Sequence, residues 1–486
     1  MTDLQSTNRV AIAKVRETTF GVTPANPVFK GIRETSSSLA INPQTLVSNE
    51  IRPDRQVSDL ILVGVQAGGD VGGEMSFQTM DDDLEEALQG TWANLPNIVV
   101  ATLDTEISDL SATTATVAAG LGTPFKIGML VLTSGFTTPA NNGLVARVAS
   151  STGASVVFPA ATFTAETAPI PVGATMRTVG FAGVVGDIAA VTAGGNAVTS
   201  ATLDFTTLGL QPGLWIRPNG FATAVNNDFC RVSAVAANKI SLDRVPVGWA
   251  ADTGAAVAIS VFAGDFLTNG STKRSNTFER QYLDHVPVTY EYLRGQTLDK
   301  FSVMADAAKV ATYTKSYIGS DGIAQTVRIA GATDVPAPTN DVLNTSGNVG
   351  RLGFDGVPVT GPNFIMSAKF DIANNLRRQN AVGSFAPVGI GNGEFTVTGT
   401  LNTYFGSKAV LDKVINNTRT SFDTRLGRPD NNKQSLVFDF PSIKLSAGAP
   451  SVSGKNADVM LSATFQALRD PTLGYTLGIT RFWYLP

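Results

Sequence analysis

Two internal duplications, one nested inside the other, constrain the fold of this 486-residue chain more than any single motif does. The first duplication is tandem, since residues 128–142 recur as residues 213–227 at a constant offset of 85. Each copy has short apolar runs separated by a Gly-Phe turn and an Asn-Asn turn, the pattern of a small β-module of roughly 80–90 residues. The sequence therefore predicts two consecutive copies of one β-module, at residues 94–184 and 185–268.

The second duplication joins distant parts of the chain. Residues 73–77 (Gly-Glu-Met-Ser-Phe) resemble residues 393–397 (Gly-Glu-Phe-Thr-Val), and both alternate polar and apolar residues as half-buried strands do. A helix is predicted after each segment, over residues 81–89 and 407–417, because apolar residues recur there at helical spacing. Two further pairs of similar segments are residues 38–43 with 369–374 and residues 277–280 with 421–425.

The nesting of the two duplications predicts the domain organisation. We expect a mainly β chain with two β-sandwich or barrel domains, each with a flanking α-helix, and with the tandem β-modules inserted in the first domain. Insertion at a loop leaves both flanks to complete one domain. The predicted segments are an N-terminal arm at 1–28, domain 1 at 29–93 and 269–319, the two modules at 94–184 and 185–268, a proline-containing linker at 320–344, and domain 2 at 345–486.

Charge and rare residues exclude several functions. Lys and Arg number 36 against 40 Asp and Glu, and the net charge of −4 excludes strong polyanion binding through net charge. Only 16% of residues are charged and 43% are hydrophobic, so the chain is not disordered and must cover apolar surface with a core or with partners. With one cysteine, Cys230, and one histidine, His285, it can form neither an internal disulfide nor a Cys/His metal cluster.

The sequence offers little for catalysis. A hydrolytic triad would have to use His285, and no nucleophile elbow lies near it, so a structural histidine is favoured. A carboxylate-based glycosidase could use a pair such as Glu279 and Asp284, but no other feature supports it. The acidic run at residues 81–86 opens a predicted helix, which favours stabilisation at the helix N-terminus over a calcium or paired-carboxylate site. We predict no enzyme activity and no cofactor.

The sequence also predicts where the chain is made. Residues 1–5 lack the basic and apolar regions of a signal peptide, and no run reaches the ~18 consecutive apolar residues of a membrane helix. We therefore expect synthesis in the cytoplasm and no membrane partner.

Several stretches, taken in their order along the chain, resemble a known family. They are residues 9–24, residues 48–56 (Ser-Asn-Glu-Ile-Arg-Pro-Asp-Arg-Gln), residues 277–282 (Thr-Phe-Glu-Arg-Gln-Tyr) and residues 463–470 (Ala-Thr-Phe-Gln-Ala-Leu-Arg-Asp). With the duplicated strand–helix unit, they are similar to the major tail tube protein of long-tailed, siphophage-type bacteriophages, here with a duplicated tube domain. The resemblance covers both β-domains, somewhat over half of the chain.

The resemblance implies a structural role in a phage tail. Most members carry one tube domain and form hexameric rings, whereas a chain with two such domains resembles the subset in which three chains make a pseudo-hexameric ring. Stacked rings form a hollow tube through which double-stranded DNA passes without sequence-specific binding. The implied partners are further copies of the chain, the tape measure protein, and the tail terminator and tip proteins. The implied location is the virion tail, after assembly in the host bacterial cytoplasm.

The loop at residues 47–56 is the candidate for contact between rings. It is too long for a tight hairpin turn and mixes both charge signs with Ile51 and Pro53. In the family this loop position reaches the adjacent ring, where Arg52 and Arg55 are expected to pair with acids. Residues 375–380 are a shorter, basic second copy, and an ordinary mobile hairpin tip stays open as the alternative. The candidate stacking residues are Asn49, Glu50, Arg52, Asp54, Arg55, Arg377 and Arg378.

The alternative function is a surface adhesin or receptor-binding protein. In that case the tandem modules bind host glycans and the rest of the chain is a stalk, which leaves the duplicated strand–helix unit unexplained. If the modules instead decorate a tube, we expect them to project outward and to be dispensable for assembly. Deleting residues 94–268 with a short Gly/Ser bridge should then leave tubes that still polymerise.

Overall fold

The computed structural model describes residues 4–359, 362–428 and 433–486, and the predicted mainly β class is confirmed. Residues 1–3 of the predicted N-terminal arm lie outside the described residues. The elements before the insert are β1 (Val10–Arg16), β2 (Val28–Gly31), β3 (Ser36–Ser37), β4 (Ala40–Val47), β5 (Leu60–Glu74) and the helix α1 (Asp81–Leu88).

The insert consists of short strands. They are β6 (Asn97–Val99), β7 (Ile107–Leu110), β8 (Thr114–Val117), β9 (Met129–Ser134), β10 (Val145–Arg147), β11 (Ser150–Ser151), β12 (Ser155–Val157), β13 (Glu166–Thr167), β14 (Thr175–Ala182), β15 (Ile188–Val191), β16 (Ala197–Ser200), β17 (Trp215–Asn219), β18 (Cys230–Ala236), β19 (Lys239–Arg244), β20 (Ser260–Phe262) and β21 (Asp265–Thr268). Single 3-10 turns occur at Thr7–Arg9, Pro139–Asn141, Phe205–Thr207 and Ala224–Asn227.

Both β-domains are completed after the insert. Domain 1 continues with β22 (Asn276–Tyr282), β23 (Thr289–Asp306), β24 (Thr312–Gly319), β25 (Gly322–Gln325) and β26 (Thr333–Val335). Domain 2 contains β27 (Val349–Phe354), β28 (Val357–Pro358), β29 (Ile365–Ala373), β30 (Arg377–Gln379), β31 (Gly389–Gly391), β32 (Thr396–Tyr404), α2 (Ala409–Ile415), β33 (Arg419–Gly427), β34 (Ser435–Ser451), β35 (Met460–Ala467) and β36 (Gly478–Phe482). In the part of the chain that is described, no helix combines the length and the apolar character needed to cross a membrane.

The two repeated segments of the insert have the same local structure. In each, two paired strands (β9 with β10, β17 with β18) flank a 3-10 turn that includes one or both residues of the Asn-Asn pair. The amide oxygens of Asn142 and Asn227 accept hydrogen bonds from the backbone N–H groups of Phe136 (2.8 Å) and Phe221 (2.9 Å). These bonds close the loop between Gly-Phe and Asn-Asn, which explains why both dipeptides recur. Strand β20 pairs with β14 of the first copy and β17 of the second, so the copies share one sheet.

Domain 1 is larger than predicted at both of its ends. Strand β1 does not belong to an arm, because it lies between β2 and β22 and buries Ile12. Strands β25 and β26, which fall in the predicted linker, pair with β23 and β2. The apolar run at the start of β1 is a strand signal that the sequence contains, whereas β25 and β26 are too short to be recognised without their partners.

The two β-domains have equivalent strand orders. In domain 1, β5 pairs with β4 and β24, and β23 pairs with β24, β22 and β25. In domain 2, β32 pairs with β29 and β35, and β34 pairs with β35, β33 and β36. Even the irregularities correspond, since the register shifts at Asp299 between β23 and β24 and at Ser446 between β34 and β35.

This equivalence corrects one predicted pair of segments. Residues 38–43 with 369–374, and 277–280 with 421–425, lie at corresponding places in the two domains. Residues 73–77 do not correspond to 393–397, because the former lie at the end of β5 and the latter at the start of β32. The counterparts of Gly73 and Glu74 are Thr403 and Tyr404. Strand side chains alternate with a period of two, so a resemblance between strands can be displaced by an even number of residues without losing its pattern.

Candidate assembly surfaces

One sheet runs through both β-domains without interruption. The C-terminal half of β23 in domain 1 pairs with β29 of domain 2, from Lys300 opposite Ala373 to Asp306 opposite Ser367. The strand order is β4, β5, β24, β23, β29, β32, β35, β34, and we call this the eight-stranded sheet. The two domains are therefore joined side by side through main-chain hydrogen bonds as well as through the chain connection.

One face of the eight-stranded sheet belongs to the core. Phe301, Tyr313, Tyr317, Phe370 and Leu401 are all buried on this face. Helix α1 packs against β23, and α2 packs against β34. Because strand side chains alternate between faces, the residues between these positions form the opposite face.

The opposite face of the eight-stranded sheet is polar. Most of its side chains are hydroxyls and amides, and the register aligns Thr314, Ser302, Asp371, Thr398 and Gln466 in one row across five strands. The charged residues of this face are Asp70, Glu74, Lys300, Asp306, Lys369, Asp371 and Lys444. The eight strands, as far as they are described, place no arginine here. The eight strands therefore contribute nearly equal numbers of positive and negative charges, and arginine, which binds phosphate in a bidentate manner, reaches this face only from adjoining strands, as Arg419 does opposite Lys444.

The eight-stranded sheet has two edges with no partner strand within the described residues. One is β4, and the other is the C-terminal half of β34, residues 445–451. When the two domains are compared, β34 of domain 2 corresponds to β23 of domain 1, and β4 together with the short β3 corresponds to β29. The two free edge strands, β34 and β4, are thus the counterparts of β23 and β29, which pair with each other within the chain. Unpaired edge strands expose backbone donors and acceptors and invite pairing with another strand.

A hairpin with unusual apolar exposure extends from one end of the sheet. Beyond the sheet, β4 and β5 continue as a two-stranded ribbon, with its tip at residues 48–59. Leu60, Ile61, Leu62 and Val63 are consecutive and about half exposed, and Leu46 lies opposite Ile61. An isolated two-stranded ribbon that is apolar on both faces is marginal in water. We call it the apolar hairpin and expect a partner to cover it.

Five of the predicted stacking residues lie at the tip of the apolar hairpin. Arg52 donates two hydrogen bonds to Asp54, at 3.1 and 2.8 Å, and these bonds lower the pKa of Asp54. Asn49, Glu50 and Arg55 are exposed beside this pair. The structure therefore groups these side chains on one exposed tip, and Arg52 has an acid partner within its own chain.

The other two predicted stacking residues lie on a second hairpin, formed by β30 and β31. Arg377 donates to the carbonyl of Asn392 in the same hairpin (2.8 Å). Arg378 donates to the carbonyls of Ala67 on β5 (2.8 Å) and Gly319 on β24 (3.2 Å), so it ties this hairpin to domain 1. Residues 375–380 are one arm of the hairpin rather than a short loop, because the other arm ends at Gly391.

A cluster of buried charges lies between α1 and the eight-stranded sheet. Asp83 accepts hydrogen bonds from Lys14 (2.5 Å), Lys315 (2.9 Å) and Tyr317 (3.1 Å), and Lys14 also donates to Glu86 (2.9 Å). Burial acts to raise the pKa of Asp83, but the two lysines outweigh it and hold that pKa well below its usual range. Burial likewise acts to lower the pKa of Lys14, yet Asp83 and Glu86 raise it above its ordinary value.

The acidic run at residues 81–86 is thus more than a helix N-terminus. Its other ion pairs are Asp81 with Arg481, Asp82 with Lys30, and Glu85 with Arg16 and Arg274. Sequence reasoning missed these pairs because the partners come from distant strands. A signal is present in the sequence for Lys315, which lies between Tyr313 and Tyr317 on one face of its strand. No group of His, Cys, Asp and Glu among the described residues could hold a metal ion.

The insert packs firmly against domain 2. Arg231 in β18 pairs with Asp439 of β34 (2.9 Å) and with Asp243 (2.6 Å), and both Arg231 and Asp439 are buried. Burial raises the pKa of Asp439 to about 6, although Arg231 acts to lower it. The last insert strand, β21, pairs with β36 and so belongs to the sheet of domain 2. These contacts do not fit the expectation of modules that are dispensable decorations, because the insert supplies part of the interior of domain 2.

The residues considered for catalysis have structural partners. Glu279 is fully buried and accepts hydrogen bonds from Arg328 and Tyr292. Asp284 pairs with Arg9 at 3.1 Å, and the exposed ring of His285 stacks on a neighbouring tyrosine. Glu279 and Asp284 thus each form an ion pair with an arginine.

A comparison with known proteins agrees with this architecture. None of the curated proteins matches the chain. The family model of the phage tail tube protein matches residues 7–236 and 245–467, which together make up nearly the whole chain. The matched residues include all eight strands of the eight-stranded sheet and both helices. The chain therefore belongs to the phage tail tube protein family.

Proposed function

We propose that three copies of the chain close a ring, that such rings stack head to tail into the tail tube of a siphophage-type phage, and that double-stranded DNA passes through the lumen. As a member of its family, the chain is a structural protein of the phage tail. One observation supports the proposed ring of three chains. The junction between β23 and β29 joins two equivalent domains, and the counterparts of these two strands, β34 and β4, are the two free edge strands of the same sheet.

The internal junction supplies a register for the contact between chains. In it, Lys300 lies opposite Ala373 and Ser302 lies opposite Asp371. Transferred to the free edges, this register places Ala447 of one chain opposite Asn42 of the next, and Ala449 opposite Ala40. Hydrogen bonds across this contact would satisfy the backbone groups of both edges.

The number of chains follows from the number of domains. Six tube domains per ring, as the resemblance implies, require three chains of two domains each. The contact is heterologous, with the β34 edge of one chain on the β4 edge of the next, and such contacts form a closed ring when the rotation between neighbours allows it. Stacking along the axis does not close and therefore gives a filament.

The polar face of the eight-stranded sheet suits a lumen for DNA. Helix α1 packs on the core side of this sheet and contacts β21 of the insert, so a ring with the polar face inward leaves α1 and β21 outside. Phosphates are held chiefly by Lys and Arg, and each neutralised phosphate adds to affinity. A lumen wall to which the eight strands contribute three lysines, four carboxylates and many hydroxyls has few groups that bind phosphate, which favours the passage of DNA over its binding.

The proposed partners follow from a stack with polarity. A head-to-tail tube has two unlike ends, which fits one protein at the terminator end and another at the tip end. The tape measure protein would occupy the lumen before DNA does, and assembly would take place in the host bacterial cytoplasm. An adhesin would use the insert but would leave the free edges of the eight-stranded sheet without a role.

Electron microscopy of the purified chain tests this proposal. We expect hollow tubes built of rings in which averaging resolves three chains. Rings of six chains would contradict the stoichiometry, and separate elongated particles that bind host glycans would support the adhesin instead.

Reversal of two charges at the tip of the apolar hairpin is expected to prevent stacking. If Arg52 and Arg55 pair with acids of the next ring, Arg52→Glu with Arg55→Glu removes contacts that cost ~2–5 kcal/mol each when one partner is lost. The variant should fold and form rings but no long tubes in microscopy. Lys126→Glu with Lys239→Glu, the same change of charge on the insert, is the matched control. Normal tubes from the Arg52 and Arg55 variant would contradict the assignment of these residues.

A further inference from the structure

The two ends of the eight-stranded sheet expose apolar features of opposite shape. At the end with the hairpins, Ile51 projects from the tip of the apolar hairpin and is 98% exposed, and apart from Pro53 its neighbours from Asn49 to Asp54 are charged or polar. Burial of an isoleucine contributes substantially to association, so its full exposure in the single chain is unfavourable.

At the opposite end lies an apolar crevice, where β23 ends and β29 begins. Its cavity has a volume of about 90 Å³, and its lining includes Val303, Leu352, Ile365, Phe370 and Leu426. Met366 at its rim is about half exposed. An apolar cavity of this kind gains nothing from water, since the lining offers hardly any hydrogen bonds.

The crevice has room for an inserted group, and the hairpin tip reaches beyond its own sheet. The cavity of about 90 Å³ is well above the ~10–15 Å³ that admits one water molecule, so a side chain can enter it. The five residues from Pro43 to Val47 carry the hairpin ~17 Å beyond the sheet, at ~3.4 Å per residue, before the tip begins. In a head-to-tail stack, the end with the hairpin faces the end with the crevice of the next ring.

Charged residues of both signs surround the two features. Arg52 and Arg55 lie beside Ile51. At the end of the sheet that carries the crevice, Asp306 pairs with Lys309 at 3.1 Å, and the exposed Asp341 lies 3.9 Å from Arg428. An ion pair between the tip and this end of the next ring would therefore share or replace these partners within the chain.

We infer that Ile51 of one chain inserts into the apolar crevice of a chain in the adjacent ring, so that each ring is locked to the next by side chains seated in preformed cavities. This inference rests on the proposed stacking of rings and adds which side chain and which cavity form the contact. The occupant is a second copy of this chain in the next ring, because the tip and the crevice lie at opposite ends of the same sheet.

Disulfide crosslinking tests the inference directly. Assembled tubes of the variant Ile51→Cys with Ala307→Cys, which lies at the rim of the crevice, would be oxidised and separated on a non-reducing denaturing gel. The only native cysteine, Cys230, is fully buried and does not interfere. We expect a ladder of covalent multimers that exceeds three chains, because each bond joins two rings. Ile51→Cys with Val247→Cys, on the exposed surface of the insert, is the control and should give no ladder.

The outcomes separate this inference from the proposed function. Tubes without crosslinks would contradict the insertion of Ile51 into the crevice but would not contradict the proposed tube. A ladder that stops at three chains would place Ile51 on a neighbour in the same ring and would also overturn the inference. Failure of the wild-type chain to form tubes would instead contradict the proposed function.

A second pair of variants measures the contact itself. Ile51→Asp should weaken the association between rings by roughly tenfold to a hundredfold for each contact, the equivalent of exposing one aliphatic side chain. Ile51→Leu keeps the apolar volume and should preserve tubes. Residue 51 is fully exposed in the single chain, so neither change threatens folding. Tubes of equal length and stability from Ile51→Asp would contradict the inference.

Discussion

Replacement of Asp83 by alanine should destabilise the chain by about 3–5 kcal/mol, the cost of leaving a buried charge without its partner. Asp83 is the shared counter-charge of Lys14 and Lys315, and all three side chains are buried. Without Asp83, two ammonium groups remain near each other in the core of domain 1 with Glu86 as the nearest acid. Chemical denaturation followed by circular dichroism measures the loss.

The neighbouring acid provides the control for this prediction. Asp82 pairs with Lys30 at the surface, where the Lys30 side chain is 61% and the Asp82 side chain 41% exposed, so Asp82→Ala should cost less than about 1 kcal/mol. Equal effects of the two replacements would show that the buried cluster does not stabilise domain 1 as described.

The same cluster should also produce a pH dependence. The pKa of Asp83 lies below its usual value in the folded chain, so its contribution to stability is present above pH ~4 and is lost as the pH falls through the folded-state pKa. An Asp83→Asn variant lacks the ionised group at every pH. The difference in unfolding free energy between wild type and variant should therefore narrow as the pH is lowered below ~4, and a constant difference would contradict the assignment.

Removal of the insert is expected to abolish folding of domain 2, contrary to what the repeat pattern alone suggests. Deletion of residues 94–268 takes Arg231 away from Asp439, which is buried, and removes β21 from its pairing with β36. The first loss alone costs about 3–5 kcal/mol. The deleted chain, bridged by a short Gly/Ser linker, should be insoluble or lack a cooperative unfolding transition in calorimetry.

A point variant separates this effect from the deletion itself. Arg231→Ala should be destabilised by a similar amount, and a second change, Asp439→Leu, should recover part of the loss because no buried charge remains unpaired. Tubes assembled from the deleted chain would show instead that the insert is dispensable.

The sequence predicts turns and helices well where the pattern is local. The Asn-Asn turns of the insert and the helices after β5 and β32 are encoded within a few residues each. The segments 38–43 and 277–280 correspond to 369–374 and 421–425 as predicted, because each combines a specific order of residue types. The match of 73–77 with 393–397 failed because an alternating strand pattern has no unique register.

The joining of the two domains could not be predicted in the same way. The pairing of β23 with β29 is an edge-to-edge contact between residues some seventy positions apart, and any two edge strands of suitable length could make it. The same holds for the pairs of Asp83, since Lys14 and Lys315 come from opposite sides of the insert. The length and mixed charge of the segment from Asn49 to Arg55 predict an exposed loop, and its role in stacking stays a prediction. The intrachain contacts of Arg378 depend on Ala67 and Gly319, which are far away in sequence.

Crosslinking of the two free edges tests the central claim of a three-chain ring most directly. The variant Ala40→Cys with Ala449→Cys places one thiol on each edge, and the register of the internal junction brings residue 40 of one chain opposite residue 449 of the next. Opposed residues on neighbouring strands have Cα atoms ~4.5–5.5 Å apart, within the range of a disulfide. After oxidation of purified rings and denaturation without reductant, the account predicts a covalent species of three chains as the largest product. A product of six chains, an open-ended ladder, or rings that yield no crosslinked product would contradict it.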